Sequence, residues 1–334
     1  MRWPDGARVR VAVGLFAVLF AMPVVAGSVH RAVSLGYAQQ YDSAWATLAR
    51  VSERDTLAPL VAFWRAALVQ MLLYDSGDPA LADSFHRTSD RALAACRERL
   101  RTHPDDARAH LLFGLTQLNR ANCQGWQRSR LRAVMTLNSA SRSLGRAVAL
   151  DSTLADGWFG LAAIEYVRVN ADRYALGLGL LGSRKRAYRM IARSLDGEGW
   201  LANAAGFMLA YMHKEDGEFE QAVEVCERIL RQYPENRTGL RLLRDTYLAA
   251  GRWEDALQVA GRLDSSITRD FPGNRYGRSE NRLVAMKAWD GLGLQDSALA
   301  YADRIIAWSR YERQVPWLDR YVAEARQYRR RCER

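Results

Sequence analysis

Residues Gly217-Glu218-Phe219-Glu220-Gln221-Ala222 return 34 positions later as Gly251-Arg252-Trp253-Glu254-Asp255-Ala256, with Gly on Gly, aromatic on aromatic and Ala on Ala. A period in this range constrains the fold more than any compositional property. One unit of that length is a single supersecondary motif that cannot bury its apolar face alone, so successive copies must stack. Between the anchors, apolar residues recur at helical spacing: Ala222, Val223, Cys226, Ile229 and Leu230, then Leu240, Leu243, Tyr247 and Leu248. Pro234 falls where one unit has to end, since a proline interrupts the helical hydrogen-bond ladder.

Weaker copies extend the pattern in both directions. Tyr41-Asp42-Ser43-Ala44 repeats the turn-aromatic-Ala signature, and His103-Pro104-Asp105-Asp106 matches Tyr233-Pro234-Glu235-Asn236 in residue type. The spacing predicts helices over 29–39 and 42–51, then over 57–74, 84–102, 107–120 and 130–150. Further helices are expected over 280–292 and 296–310, and an amphipathic segment over 317–334 suits a terminal cap. Three stretches, the polar 122–127 and 265–278 and the glycine-rich 170–183, read as interruptions.

Leu243, Tyr247, Gly251, Trp253 and Ala256 in one unit, with Phe219, Ala222 and Pro234 in the one before, make this stretch resemble the tetratricopeptide repeat family. Trp158-Phe159-Gly160-Leu161-Ala162 is similar to the opening of a further unit. The resemblance implies an all-α, right-handed α-solenoid of antiparallel helix hairpins, about six of them, that works as a non-catalytic interaction scaffold. It implies divergent helical repeats over 27–106 and regular ones over 107–334, closed by the capping helix. In that family the second, fifth, ninth and twelfth positions of each first helix face a concave groove. The register places Phe159 and Tyr166 there, then Phe207, Tyr211 and Lys214, then Arg241 and Asp245. The implied ligand is a protein or peptide segment, whose apolar side chains would stack on the aromatics and whose carboxylates would pair with the basic residues.

Arg2, Arg8 and Arg10 precede an apolar run from Val11 to Met22, and Val24-Val25-Ala26 follows as a small-residue cleavage site. This is the layout of an export signal over 1–26, and the run is short for a membrane span. The chain is therefore expected in the periplasm or cell envelope, where a membrane-protein complex is one setting for its partner. The net charge of +11 comes almost entirely from arginine. The basic residues alternate with Asp and Glu along helices, as on a solvated surface, and an exported protein meets little nucleic acid, so none is expected as partner.

Candidate chemistry is sparse. Gly177-Leu178-Gly179-Leu180-Leu181-Gly182 spells a dinucleotide-binding pattern, but no strand leads into it and no βαβ alternation surrounds it. It reads better as an apolar insertion. This insertion supports the alternative function, an envelope accessory that binds a small apolar ligand or lipid in a cavity near Leu176–Leu181, beside a transporter. Arg184, Lys185, Arg186, Arg189 and Arg193 could share a helix face and meet an anion. The five histidines show no ligand pairing, no nucleophile motif is present, and no metal or other cofactor is expected. Cys96 and Cys226 read as small core residues, with a Cys96–Cys123 disulfide left open for an exported chain.

Overall fold

The computed structural model describes residues 27–51, 57–175, 182–315 and 317–334. The proposed export signal and the Leu176–Leu181 part of the insertion lie outside these residues. Helix α1 covers 27–37 and is followed by α2 (Tyr41–Ala49), α3 (Ala58–Ser76), α4 (Leu81–Thr102), α5 (Ala107–Trp126) and α6 (Arg130–Leu150). Then come α7 (Ala155–Ala175), α8 (Arg184–Leu195), α9 (Ala202–Asp216), α10 (Phe219–Gln232) and α11 (Arg237–Ala249). The array ends with α12 (Trp253–Asp270), α13 (Arg275–Gly291), α14 (Gln295–Ile306) and α15 (Leu318–Cys332). Each helix from α2 on packs on the next in the chain, and each odd-numbered helix from α3 on also packs on the next odd-numbered one. Among the described residues the result is an all-α solenoid of seven hairpins and a capping helix, where the sequence suggested about six hairpins.

Helix starts are written in the chain. His103-Pro104-Asp105-Asp106, Tyr233-Pro234-Glu235-Asn236 and Phe271-Pro272-Gly273-Asn274 are the same turn used three times. Each ends in an N-cap whose side-chain oxygen accepts an orphan backbone N–H: Asp106 from Ala109 at 3.0 Å, Asn236 from Gly239 at 2.9 Å and Asn274 from Gly277 at 2.7 Å. Packing between hairpins relies on close approach. A Cβ on Gly114 or on Gly160 would run into Leu144, which is wholly buried between α5 and α7. That large-against-small fit sets how closely the helices cross.

Two of the three expected interruptions are helical instead. Helix α5 runs through Asn122, Gln124 and Gly125 to Trp126, because Cys123 turns inward and Gln124 accepts a hydrogen bond from Thr136 at 2.9 Å. Helix α12 continues to Asp270 because Ser266 and Ile267 are buried in its last turns, leaving only Phe271–Asn274 as the turn. Helix α7 likewise extends past Asn170 to Ala175. Polar composition misled here because Cys123, Ser266 and Ile267 are buried in the array and Gln124 finds a partner on α6. Cys96, Cys123, Cys226 and Cys332 are all free thiols, the first three fully buried. Burial pushes the Cys96 and Cys226 thiols up to about 12 and Cys123 to about 11, which makes them poor nucleophiles. No helix among the described residues is long and apolar enough to cross a membrane.

The array closes on itself. Asn236 donates from its amide to the Tyr37 carbonyl at 2.8 Å, and Asn274 donates to the Asp75 carbonyl at 2.8 Å, each pair 199 residues apart. Trp317 donates from its indole to the Trp126 carbonyl at 2.9 Å. The ends of α1, α3 and α5 thus meet the starts of α11, α13 and α15, always ten helices further on. One superhelical turn takes five hairpins, and the sixth stacks on the first. The capping asparagines serve two purposes, since the oxygen caps a helix and the NH2 group ties one turn of the superhelix to the next.

Candidate functional site

Because the odd-numbered helices face inward and the turn is closed, they surround a solvent-open cavity of about 650 Å³. Helix α7 contributes Phe159 and Tyr166, α9 contributes Phe207 and Tyr211, and α11 contributes Arg241 and Asp245. Six of the seven residues placed by the repeat register therefore line one space. The far wall comes from α3, α5 and α13 and adds Tyr74, Tyr276, Glu280 and the amides of Asn119 and Asn122. Lys214 does not line the cavity. Its ammonium lies 5.0 Å from the Tyr211 ring centroid and pairs with Glu215 at 2.7 Å.

The depth of these residues differs. Tyr166 and Phe207 are 2% and 9% exposed, so their rings serve the interhelix core as well as the wall. Tyr211, at 36%, stands in the cavity edge-on to Tyr166, with ring centroids 5.8 Å apart. Burial, followed by the neighbouring Tyr211, raises the Tyr166 phenol to about 12, so it stays a neutral hydroxyl, and that hydroxyl has no hydrogen-bond partner.

The cation expected to meet a partner's carboxylate is already held. Arg241 reaches Asp75 of α3 at 3.3 Å and Glu280 of α13 at 3.5 Å. Burial works against its charge, but the two carboxylates outweigh that and raise its pKa. Sequence reasoning missed the residues that hold it. Arg237 and Arg244, each about one turn from Arg241 on α11, are almost fully buried and share its carboxylates. Arg237 spans Asp75 at 3.1 Å and Asp270, while Arg244 binds Asp245 at 2.7 Å and donates to the side-chain amide oxygen of Asn281 at 2.8 Å. Asp75 also accepts from the Tyr41 hydroxyl at 2.6 Å. The signal available was the 237-241-244 spacing, an arginine stripe on the face where the repeat expects core. Such a stripe needs carboxylates from elsewhere in the chain.

The basic run at the start of α8 does not act as one face. Arg184 pairs with Asp216, and the Arg193 guanidinium lies 4.2 Å from the centroid of the Trp158 ring, whereas Lys185, Arg186 and Arg189 are exposed. Among the described residues no group of three or more His, Cys, Asp or Glu side chains is arranged to hold a metal ion.

Residues 214–270 match the model of the tetratricopeptide repeat. In shape the chain is similar to PilW, a type IV pilus biogenesis factor, at a TM-score of 0.50 and 17% identity, over 70% of this chain and 92% of that one. It is also similar to the Cut9–Hcn1 hetero-tetramer of the APC/C, at a TM-score of 0.59 and 13% identity, over 90% of this chain and 49% of the other.

Residues 214–270 of this chain are tetratricopeptide repeats.

No curated protein matches the sequence. The matched stretch runs from Lys214 on α9 to Asp270 on α12, the region that carries the 34-residue anchors and the buried arginines. The concave face is the wall of a cavity that opens to solvent and is ringed by helices, because the N-terminal hairpins come round to meet α11, α13 and α15.

Proposed function

We propose that the protein is a non-catalytic scaffold that takes up an extended segment of a partner protein in the channel formed by its odd-numbered helices. The observation that carries this reading is the convergence of Phe159, Tyr166, Phe207, Tyr211, Arg241 and Asp245 on one cavity walled by six helices. Aromatic faces and asparagine amides are suited to an extended backbone, because an amide both donates to and accepts from peptide groups. The fixed ion pairs around Arg241 argue for recognition by stacking and amide hydrogen bonds, with little share for the partner's carboxylates. The setting we propose is the periplasm or cell envelope, next to a membrane-protein complex, with the segment 1–26 removed after Ala26. The basic start, apolar run and small-residue site in that segment support it.

The test is selection of peptides from a random display library on the full protein, followed by affinity measurement on a Tyr211→Ala, Asp245→Ala double variant. Both side chains are about one-third exposed, and because Asp245 also pairs with the buried Arg244, the double variant must first show a cooperative thermal melt. Enriched peptides should lose about tenfold or more in affinity, as for truncation of an aromatic anchor. Failure to enrich any peptide, or equal binding by the double variant, overturns the channel assignment.

A further inference from the structure

Helices α5 and α6 break the alternation of charge found along the chain as a whole. Residues 107–150 hold seven arginines and no aspartate or glutamate, although 37 of the 334 residues are acidic. Helix α6 is one of the outward, even-numbered helices, so its solvent side belongs to the convex surface of the array. Ala133, Ala140, Leu144 and Ala147 are its buried side. On the opposite side Leu131, Val134 and Met135, at i, i+3 and i+4, are 76%, 55% and 66% exposed. Single exposed apolar side chains are common on proteins, whereas several on one helix face mark an interaction surface.

Arginines frame this ridge. At about 100° per residue, Arg130 and Arg132 fall on either side of Leu131, and Arg142 continues the line of Met135 two turns further on. Arg128 and Arg146 are held by Asp319 and Asp105. Arg130, Arg132 and Arg142 are exposed and make no ion pair among the described residues. More positive charge stands beside them. Arg168 on α7 donates to the Ser141 hydroxyl of α6 at 3.4 Å and lies against Gly182, which leads into α8. The first turns of α8 are therefore level with Ser141 and Arg142, and they expose Lys185, Arg186 and Arg189.

We propose that the outer face of α6 docks on an anionic phospholipid surface, with Leu131, Val134 and Met135 at the acyl boundary and the flanking arginines at the lipid phosphates. Charge complementarity selects this occupant. Guanidinium groups without carboxylate partners on both sides of an apolar ridge match a plane of phosphates lying over hydrocarbon. Each guanidinium can hold a phosphate through two N–H groups, and its apolar stem can lie along the same boundary. The ridge is convex and none of its residues lines the channel, so it has no cleft in which to clasp a peptide. A fluid surface needs none. The lipid and the channel's segment are separate ligands on opposite faces of the array.

The test is flotation of the full protein with vesicles of phosphatidylcholine, alone or mixed with phosphatidylglycerol. The mixed vesicles should bind it more tightly, and added salt should erase the difference. The double variant Arg130→Gln, Arg132→Gln should bind the mixed vesicles about twentyfold more weakly, and Leu131→Ser, Met135→Ser about tenfold more weakly. All four side chains are exposed, so both variants should keep the wild-type thermal melt. Hydroxyl-radical oxidation of Met135 should slow about twofold or more when the mixed vesicles are added, because its thioether leaves water. This readout is local to α6 and separates it from any contribution of residues 1–26. Equal binding to the two kinds of vesicle, unchanged binding by either folded variant, or unprotected Met135 overturns the proposal. So does a concentration-dependent dimer in light scattering that Leu131→Ser, Met135→Ser removes, since it would assign the face to a second copy of the chain.

Discussion

Arg237 and Asp75, 162 residues apart in the chain, meet at 3.1 Å with side chains only 1% and 4% exposed. Asp75 ends α3 and Arg237 begins α11, so this ion pair joins successive turns of the superhelix. Removing the shared carboxylate would leave two buried guanidinium groups short of a counter-charge, because Asp75 also serves Arg241. Asp75→Ala is expected to destabilise the protein by about 3–5 kcal/mol, the usual cost of breaking a buried pair from one side. Urea denaturation measures it, and a loss below about 1 kcal/mol would show that the pair contributes little to closing the array.

Gly77 and Gly217 both end helices in the left-handed region, at φ +63° and +80°. Their surroundings differ. A Cβ on Gly217 would meet nothing, so Gly217→Ala should cost only the backbone strain, about 1 kcal/mol. A Cβ on Gly77 would collide with the Asn274 side-chain oxygen that caps α13. Gly77→Ala should therefore cost about 3 kcal/mol, strain plus the displaced cap and its bridge. Equal melting temperatures for the two variants would contradict this.

Asn236→Ala and Asn274→Ala each lose a helix cap and a buried hydrogen bond to the neighbouring turn. About 2 kcal/mol is expected for each, about half from the cap and half from the bridge. Serine restores the cap but is too short to reach the Tyr37 or Asp75 carbonyl, so Asn→Ser should recover only the first half. Full recovery by serine, followed by chemical denaturation, would remove the bridge from the account.

Asp270 titrates below the ordinary carboxylate range, chiefly through the hydrogen bond from Arg269, with the Arg237 charge adding to it and burial opposing. A carboxylate with a lowered folded pKa contributes stability that is present above its unfolded value and lost as pH falls through the folded one. The stability gap between wild type and Asp270→Asn should hold at neutral pH and close on acidification from about pH 4 towards pH 2. Melting temperatures across that range check it, and a gap that stays constant would exclude the linkage.

Much of the hairpin order was legible because it depends on short-range rules. The aromatic-Pro-x-Asx turns, the Gly-aromatic-Ala anchors and the 3.6-residue apolar period each act within one or two helices, so the residues that cause the structure are close in sequence. The same locality made Asn122–Gln127 and Ser265–Asp270 look like breaks. Their polar side chains stay helical because partners such as Thr136 sit on an adjoining helix.

The repeat register also determined which helix faces turn inward, and so it brought Phe159, Tyr166, Phe207, Tyr211, Arg241 and Asp245 to one wall. It left undecided whether that wall is an open groove. Curvature accumulates from small rotations at each hairpin interface, so no local string encodes where a turn closes. Only the tertiary structure decided that five hairpins complete it, that Asn236 and Asn274 reach carbonyls 199 residues away, and that Asp75 holds the arginines of α11. Burial of a guanidinium is tolerable only where carboxylates from distant helices converge on it, and that convergence is a property of the closed superhelix.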